Sequence, residues 1–501
     1  MSRQTSPNVL LIVLDAARAD SLHNSDSFQD LAESNLQFTK AVAPSTWSLP
    51  SHPSLFSGKL PSEHGCYRVT NQRMDSLPLV DYLSDQDYAT AAVSANGFAS
   101  PRTGFHRPFD EFHYTSDWSP FEKGINITET AFRIRSEQPD ITTKELTKSV
   151  LSCVVRHKFR IRSLVNFGTV TLNRLSGRLS PLQRIPHPLF NSYSQYSYTP
   201  EKNTTWITTF LSEADRPFFL FANYMDTHRP YNPPEEFCEE HLSDPLRYPE
   251  IAQLNEVAAP WEYIRRVETG QDVDSDTERI RGLYAGEVDS AVEHLERLIE
   301  ALKLNDLYEE TFIIITSDHG ENLGEIDLLG NRRMGHEASI SRELLYVPLV
   351  IMNPDLEPYT VDTHVSIRPI FNFLTEGLIP RPKSSAEISD YFEQEGPVVA
   401  EYPATGGERL FEKYPEVPRS AIRLRTAVHF SVAFENDWIS IADSMGNRSA
   451  WNGDVEQEYE AAPRSVRRAS EEHLEKLQNQ SEDGGELSDA EVSQLKALGY
   501  L

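Results

Sequence analysis

The chain has 501 residues, 39% of them hydrophobic and 10% aromatic, enough apolar matter for a sizeable core and too much for a disordered or fibrous chain. A formal charge of -29, from 76 acidic against 47 basic residues, excludes general affinity for nucleic acid. The three cysteines, Cys66, Cys153 and Cys238, are too scattered for a disulfide framework or a zinc knuckle. Lys is rarer than Arg and the acids are spread along the chain, which suits a halophilic protein as well as an ordinary acidic enzyme.

The first predicted element is a buried strand, NVLLIVL, that ends at Asp15. This run is short and stops on a carboxylate, so it does not read as a secretory signal, and no other stretch reaches the roughly 20 apolar residues of a bilayer span. Cytoplasmic location is the default expectation. Residues 41–65, AVAPSTWSLPSHPSLFSGKLPSEHG, come next. Ser48-Leu49-Pro50-Ser51-His52 reads as a Pro-interrupted turn, and SLFSG as the opening of a helix. A hydroxyl at a helix N-terminus lies where backbone N–H groups and the dipole favour an anion, so Ser48 is placed to attack a sulfate or phosphate ester. Ser51 and Ser54 read equally well as capping residues.

Further strands are predicted at ATAAVSAN, PFFLFANY, TFIIITSD and VPLVIMN, separated by helical runs. In residues 153–184, Arg156, Lys158, Arg160, Arg162, Arg174, Arg178 and Arg184 interleave with apolar residues and no acid. Such a segment is either a solvated basic helix paired with the acidic remainder or one that makes peripheral contact with an anionic membrane. YAGEVDSAVEHLERLIEALKL places Val288, Val292, Leu295, Ile299 and Leu302 on one helical face, with Glu293, Glu296, Arg297 and Glu300 on the other. The run TFIIITSDHGE ends in Asp318 and His319. Strands apolar on both faces belong to parallel sheets, which bind ligands beyond the strands' carboxyl ends, so Asp15, Asp318 and His319 are predicted to converge on one divalent metal.

This pattern predicts an α/β fold, a doubly wound, mostly parallel sheet, over residues 1–375, with the basic insertion at about 150–200. Residues 376–465 read as a small C-terminal antiparallel α+β subdomain with hairpin strands in AIRLRTAVHFSVAF and DWISIAD. Residues 466–501 read as a charged tail whose short terminal helix opens at a capping-box pattern from Ser488 to Glu491.

Five segments in order resemble the sulfatase family of the alkaline phosphatase superfamily, over about three quarters of the chain. They are NVLLIVLDAARADSL, the loop from Ser48 to Gly58, NYMDTHRPYNPP at 223–234, TSDHGENLGE at 316–325 and MGHEASISRELLYVPLVI at 334–351; the ending LKALGYL is also common there. The resemblance implies an alkaline-phosphatase-like sheet, metal binding by Asp15, Asp318 and His319, and Ser48 as the nucleophile. It makes His228 the substrate-facing histidine, a general acid or an orienting group, and puts His336 where many members have a Lys that holds the ester's anionic oxygens. His52 and His64 read as structural.

Departures from the family pattern bear on the chemistry. Ala16 stands where many sulfatases have a second Asp, and His52 replaces the signature Arg, which argues against conversion of Ser48 to formylglycine. The resemblance implies one divalent cation, calcium first, and the altered donor set is also compatible with manganese or zinc. The expected activity is metal-dependent hydrolysis of a small-molecule or glycan sulfate ester through a Ser48-derived nucleophile. With Ser48 unmodified, phosphomonoester or phosphodiester hydrolysis or phosphoryl transfer follows as readily, and a non-catalytic, partner-binding member of the fold is the contrasting reading.

Overall fold

Asn8–Leu14 forms strand β1, and every residue in it is buried. Val9, Leu11 and Val13 join one hydrophobic cluster while Leu10, Ile12 and Leu14 join another, so β1 has no wet face. The computed structural model describes residues 6–481 except 68–75, 102, 116–124, 126, 128–129, 132–133, 135–140, 177–199, 215–216, 245, 337–338 and 405–413. The predicted helix start at Ser488 lies outside these residues.

In chain order the other strands of the large sheet are β2 (Leu36–Val42), β3 (Ala89–Ser94), β4 (Glu111–Tyr114), β5 (Phe218–Tyr224) and β6 (Thr311–Thr316). A two-stranded ribbon follows, β7 (Asn322–Ile326) with β8 (Arg332–Gly335), and then β9 (Tyr346–Val347), β10 (Leu349–Met352) and β11 (Tyr359–Ser366) return to the large sheet. The strand order is β11-β2-β10-β6-β1-β5-β3-β4, with β9 on β2. β6, β1, β5, β3 and β4 run parallel, as do β11 and β2, whereas β10 is antiparallel to both its neighbours. The sheet is thus mostly parallel and covered on both faces, as predicted. Since β1, β3, β5 and β6 point the same way, the residues at their carboxyl ends share one edge.

Ser48–Ser57 is helical from Ser48 onward, so the Pro-containing stretch is the first turn of the helix and not a turn before it. Pro50 is tolerated there because N–H groups of a first turn have no intrahelical acceptor. The helix ends at Gly58, whose φ of 72° is left-handed and whose N–H donates to the Ser54 carbonyl. Phe56 packs edge-on to Phe105 and Phe221 with ring centroids 5.1 Å away in each case, anchoring the helix on β5.

The long helix spans Asp274–Leu304, starting ahead of the predicted run, with Asp274 and Asp276 favourably placed in its first turn. Val288, Val292, Leu295, Ile299 and Leu302 are buried as expected, and Glu293, Glu296 and Glu300 are exposed.

The C-terminal strands β12 (Val398–Tyr402), β13 (Phe430–Glu435), β14 (Trp438–Asp443), β15 (Arg448–Asn452) and β16 (Val455–Gln457) form an antiparallel sheet. Its Phe430, Val432 and Phe434 pack into the main core, while Val399, Ala433 and Ala450 meet Val466 of the helix Arg464–Ser481. The segment from 464 therefore carries a docked amphipathic helix where the sequence reads as a charged tail. AIRLRT, read as a strand, is instead helical over Arg419–Thr426: Pro418 starts the helix, and Ile422 is buried against Trp261 and Ile264. Among the described residues no helix is long and apolar enough to cross a membrane.

One buried charge in this core has a measurable consequence. Glu287, on the long helix, accepts a 2.5 Å hydrogen bond from the Asn232 amide, yet burial, with Asp226 adding repulsion, holds its carboxyl well above the ordinary 4.5. A carboxyl raised on folding contributes stability that is fully present below its unfolded value and is lost as pH climbs through the folded value. We therefore expect Glu287→Gln to raise the melting temperature at pH 8 relative to the parent and to leave it nearly unchanged at pH 4, as read by calorimetry.

Candidate functional site

Four of the aligned strands deliver polar residues to one edge. Asp15 follows β1, Asn96 follows β3, Asn223 lies near the end of β5, and Asp318 and His319 follow β6. All five are buried, as is Ser48. Ser48 Oγ lies 3.2 Å from His319 Nε2, so the helix start and the end of β6 meet across 271 residues of sequence.

Hydrogen bonds set how each group faces the others. Asp15 Oδ2 accepts from the side-chain amides of Asn96 and Asn223, the latter at 3.2 Å. Asp318 Oδ1 accepts from the amides of Ala16, 3.3 Å, and His319, 3.1 Å. Ala16 makes the first of these bonds from a left-handed φ of 61°, an uncommon conformation for a residue with a Cβ. His319 Nδ1 donates to the Gly320 carbonyl at 2.8 Å, which turns Nε2 toward Ser48, 4.0 Å from Asp15 Oδ1 and 3.6 Å from Asp318 Oδ2.

Among the described residues the hydroxyls of Ser45 and Thr46 are buried without a hydrogen-bond partner, whereas three others of the loop are engaged. Ser51 donates to the Ser45 carbonyl, Ser54 to the Pro50 carbonyl and Ser57 to the Pro53 carbonyl.

His52, expected to be structural, stands beside the metal candidates. Its Nδ1 donates to the Ser48 carbonyl at 2.9 Å and is 3.5 Å from Asp318 Oδ2, so it braces both the nucleophile candidate and a carboxylate. Burial lowers its pKa below the ordinary value.

His228 and His336 are brought to the same place, their rings 5.1 Å apart, and His336 is 4.4 Å from His319. Each has its Nδ1 committed, in His228 to the Arg229 carbonyl at 2.6 Å and in His336 to Glu321 Oε1 at 3.1 Å. Glu321 also accepts from the Tyr231 hydroxyl at 3.2 Å. Burial, with His336 close by, pushes His228 down to about 3, and burial followed by the neighbouring His319 holds His336 well below its ordinary value. Burial thus favours the neutral ring in both.

Whether these residues suit a cation can be judged from the carboxylates. Burial, reinforced by the Asp318 charge, raises Asp15 up to about 7. Asp318 is pushed up by burial too, but His319 and His52 outweigh this and hold it below the ordinary value. His319 is raised because Asp318 and Asp15 overcome its own burial. Among the described residues Asp15 Oδ1, Asp318 Oδ2 and Asn223 Oδ1 are buried without a hydrogen-bond partner. Asp15, His52 and Asp318 each offer an atom within 4.8 Å of the others'. Repelling, under-satisfied carboxylates beside an imidazole lone pair are a donor set that a divalent cation fits. His52 Nδ1 already donates to a carbonyl, whereas His319 Nε2 faces the same two carboxylates.

Asn96, Asn223 and Glu321 were not singled out from the sequence. The signal that marks Asp15 and Asp318, a polar residue ending an apolar run, was present in VSAN and FLFAN as well.

A mostly parallel, doubly covered sheet with carboxylates and a helix-start hydroxyl at its carboxyl edge defines a class of α/β ester-processing site. The sequence profile of the sulfatases matches residues 7–376, and the chain belongs to the sulfatase family. It is 27% identical to human iduronate 2-sulfatase over 64% of this chain and 55% of that one. With the choline-sulfatase of Rhizobium meliloti it shares 22% identity over 70% of this chain and 64% of that one. It thus spans between about half and two thirds of the length of these relatives. The phosphonate monoester hydrolase of Agrobacterium radiobacter has a similar fold, with a TM-score of 0.59 and 18% identity over 95% of this chain and 96% of that one.

Gly320 gives the site a sharp test of geometry. A Cβ there would lie 1.8 Å from the Glu343 carbonyl oxygen, so the backbone carrying Asp318 and His319 passes Glu343 with no room for a side chain. We expect Gly320→Ala to destabilise the fold by about 2–4 kcal/mol in urea titration. In the parent, manganese or calcium should raise the melting temperature, and Asp318→Asn should remove that rise.

Proposed function

We propose that the chain is a metal-dependent hydrolase of anionic esters, sulfate esters in the first place, with the Ser48 hydroxyl as nucleophile. The observation that carries this reading is the 3.2 Å contact between Ser48 Oγ and His319 Nε2, beside the buried Asp15 and Asp318. Ser48 begins a helix, so unpaired N–H groups and the positive end of the dipole face an anionic group brought to it. Asp15, Asp318 and His319 would hold one divalent cation, which when bound would lower the hydroxyl's pKa and neutralise charge on the ester oxygens.

The chain's own residues supply the remaining steps. Ser48 gives up its proton to water as its oxygen bonds to sulfur or phosphorus, the bond to the substrate's alcohol oxygen breaks on the opposite side, and a water molecule then hydrolyses the serine-bound group, releasing sulfate or phosphate and restoring the hydroxyl. His228 and His336 are neutral with Nδ1 hydrogen-bonded, so each presents Nε2 to accept a proton. An anionic ester beside these rings raises their pKa, so its arrival recruits the proton that His228 then delivers to the leaving oxygen. Glu321, itself raised by burial up to about 7, fixes the orientation of His336.

A second reading, phosphate or phosphonate ester hydrolysis, is favoured by one observation. His52 occupies the place of the family's Arg and is a neutral brace on the Ser48 carbonyl, which fits a serine used as it stands. The preference is tested by assaying the purified chain with calcium, manganese or zinc against aryl sulfate, phosphomonoester, phosphodiester and phosphonate monoester substrates. We expect turnover of at least one class and a loss of roughly a thousandfold or more in Ser48→Ala. Turnover that survives Ser48→Ala would end the serine mechanism, and no turnover under any pairing would favour a non-catalytic, partner-binding role.

A further inference from the structure

Between Glu145 and Glu201 the chain has eight basic residues and no Asp or Glu, although acids outnumber bases 76 to 47 overall. The described part of this stretch forms two helices, Thr143–Arg156 and Arg160–Ser176, that pack on each other. Leu146, Val150 and Val154 turn inward to meet Ile127 and Ile134 in a small cluster of their own. Ser163 Oγ accepts from the Ile125 amide and Asn166 donates to the Ile125 carbonyl, which fixes the second helix against the same segment.

With that inner face satisfied, a second apolar set points to solvent. Leu151 is 39% exposed, Val155 44%, Phe159 38%, Val165 42% and Ile161 79%. Lys148, Arg156, Lys158, Arg160 and Arg162 are exposed among them, and Lys158 and Arg162 sit 5.6 and 5.5 Å from the centre of the Phe159 ring. A cluster of aliphatic side chains in water is costly for a soluble protein unless something covers it.

The insertion is rooted at the candidate site. Thr115, just after β4, donates to the Asn203 side chain at 2.7 Å, and Asn203 donates to the Asn223 carbonyl at 2.8 Å. Asn223 is in turn the residue that holds Asp15.

We propose that this helical hairpin docks the protein on an anionic lipid bilayer, with its cations against the headgroups and its exposed aliphatics among the upper acyl chains. Charge complementarity selects the partner: the hairpin is the cationic part of a strongly acidic chain. A soluble polyanion would meet the same cations but would have no use for Ile161, Val155 and Val165, whereas a bilayer takes up both.

The full chain is tested by co-sedimentation with vesicles of phosphatidylglycerol mixed with phosphatidylcholine, and with vesicles of phosphatidylcholine alone. We expect sedimentation with the mixed vesicles only. Combined Arg156→Glu, Lys158→Glu and Arg160→Glu should cut the partition coefficient at least roughly tenfold, and Ile161→Ser with Val165→Ser, which leaves the charge intact, should also reduce it. Circular dichroism and turnover of a soluble ester should match the parent in both variants, showing that the fold is intact. The proposal is overturned by absence of sedimentation, or by charge-reversed protein that binds as before. It is equally overturned if Ile161→Ser with Val165→Ser has no effect, which would point to a soluble polyanion, or if the parent is a stable dimer that those two substitutions dissociate.

Discussion

Two buried carboxylates, Asp15 and Asp318, face each other at the ends of adjacent parallel strands, and their repulsion is the constraint around which the structure is arranged. Neither can be moved without moving the centre of the sheet, because β1 and β6 are paired along their full lengths and buried on both faces. The surrounding groups offset the repulsion only in part. Asn96, Asn223, the Ala16 amide and the His319 amide each donate to a carboxylate, yet Asp15 still lies up to about 7 and one oxygen of each acid lacks a hydrogen-bond partner among the described residues. A pair of this kind is unfavourable by itself and favourable once a cation shares it.

The second half of the site is built by helices and loops that the sheet positions. The helix that opens at Ser48 is anchored on β5 by Phe56, and the segments on either side of it are tied to the C-terminal sheet, where the Glu401 amide donates to the Pro44 carbonyl at 2.9 Å and the Glu401 carboxylate accepts from the amide and hydroxyl of Ser62, both at 2.7 Å. Each of the three histidines at the centre, His228, His319 and His336, has Nδ1 tied to a carbonyl or carboxylate, which fixes the orientation of its ring.

Much of this was legible in the sequence, because hydrophobic pattern and strand-end polarity are local signals. β1 and β6, the long helix and the hydroxyl at Ser48 each follow from a single local run in which burial dictates side-chain type. What was not legible depends on partners distant in the chain. VPLVIMN reads as a buried strand but does not say that β10 runs antiparallel between β2 and β6. His52 looked structural because its reach to Asp318, 266 residues away, comes only from the packing of one helix on the strand ends. AIRLRT alternates like a strand, and the burial of Ile422 beside Trp261 overrides that pattern.

The central claim is that the unmodified Ser48 hydroxyl attacks the ester, and the most direct measurement is acid quench of the full chain during turnover followed by peptide mass spectrometry. We expect one sulfuryl or phosphoryl group on the peptide containing Ser48, and an unaltered serine there in the resting protein. A modification mapped to another residue, or a resting peptide lighter by two hydrogens as an aldehyde requires, would contradict it.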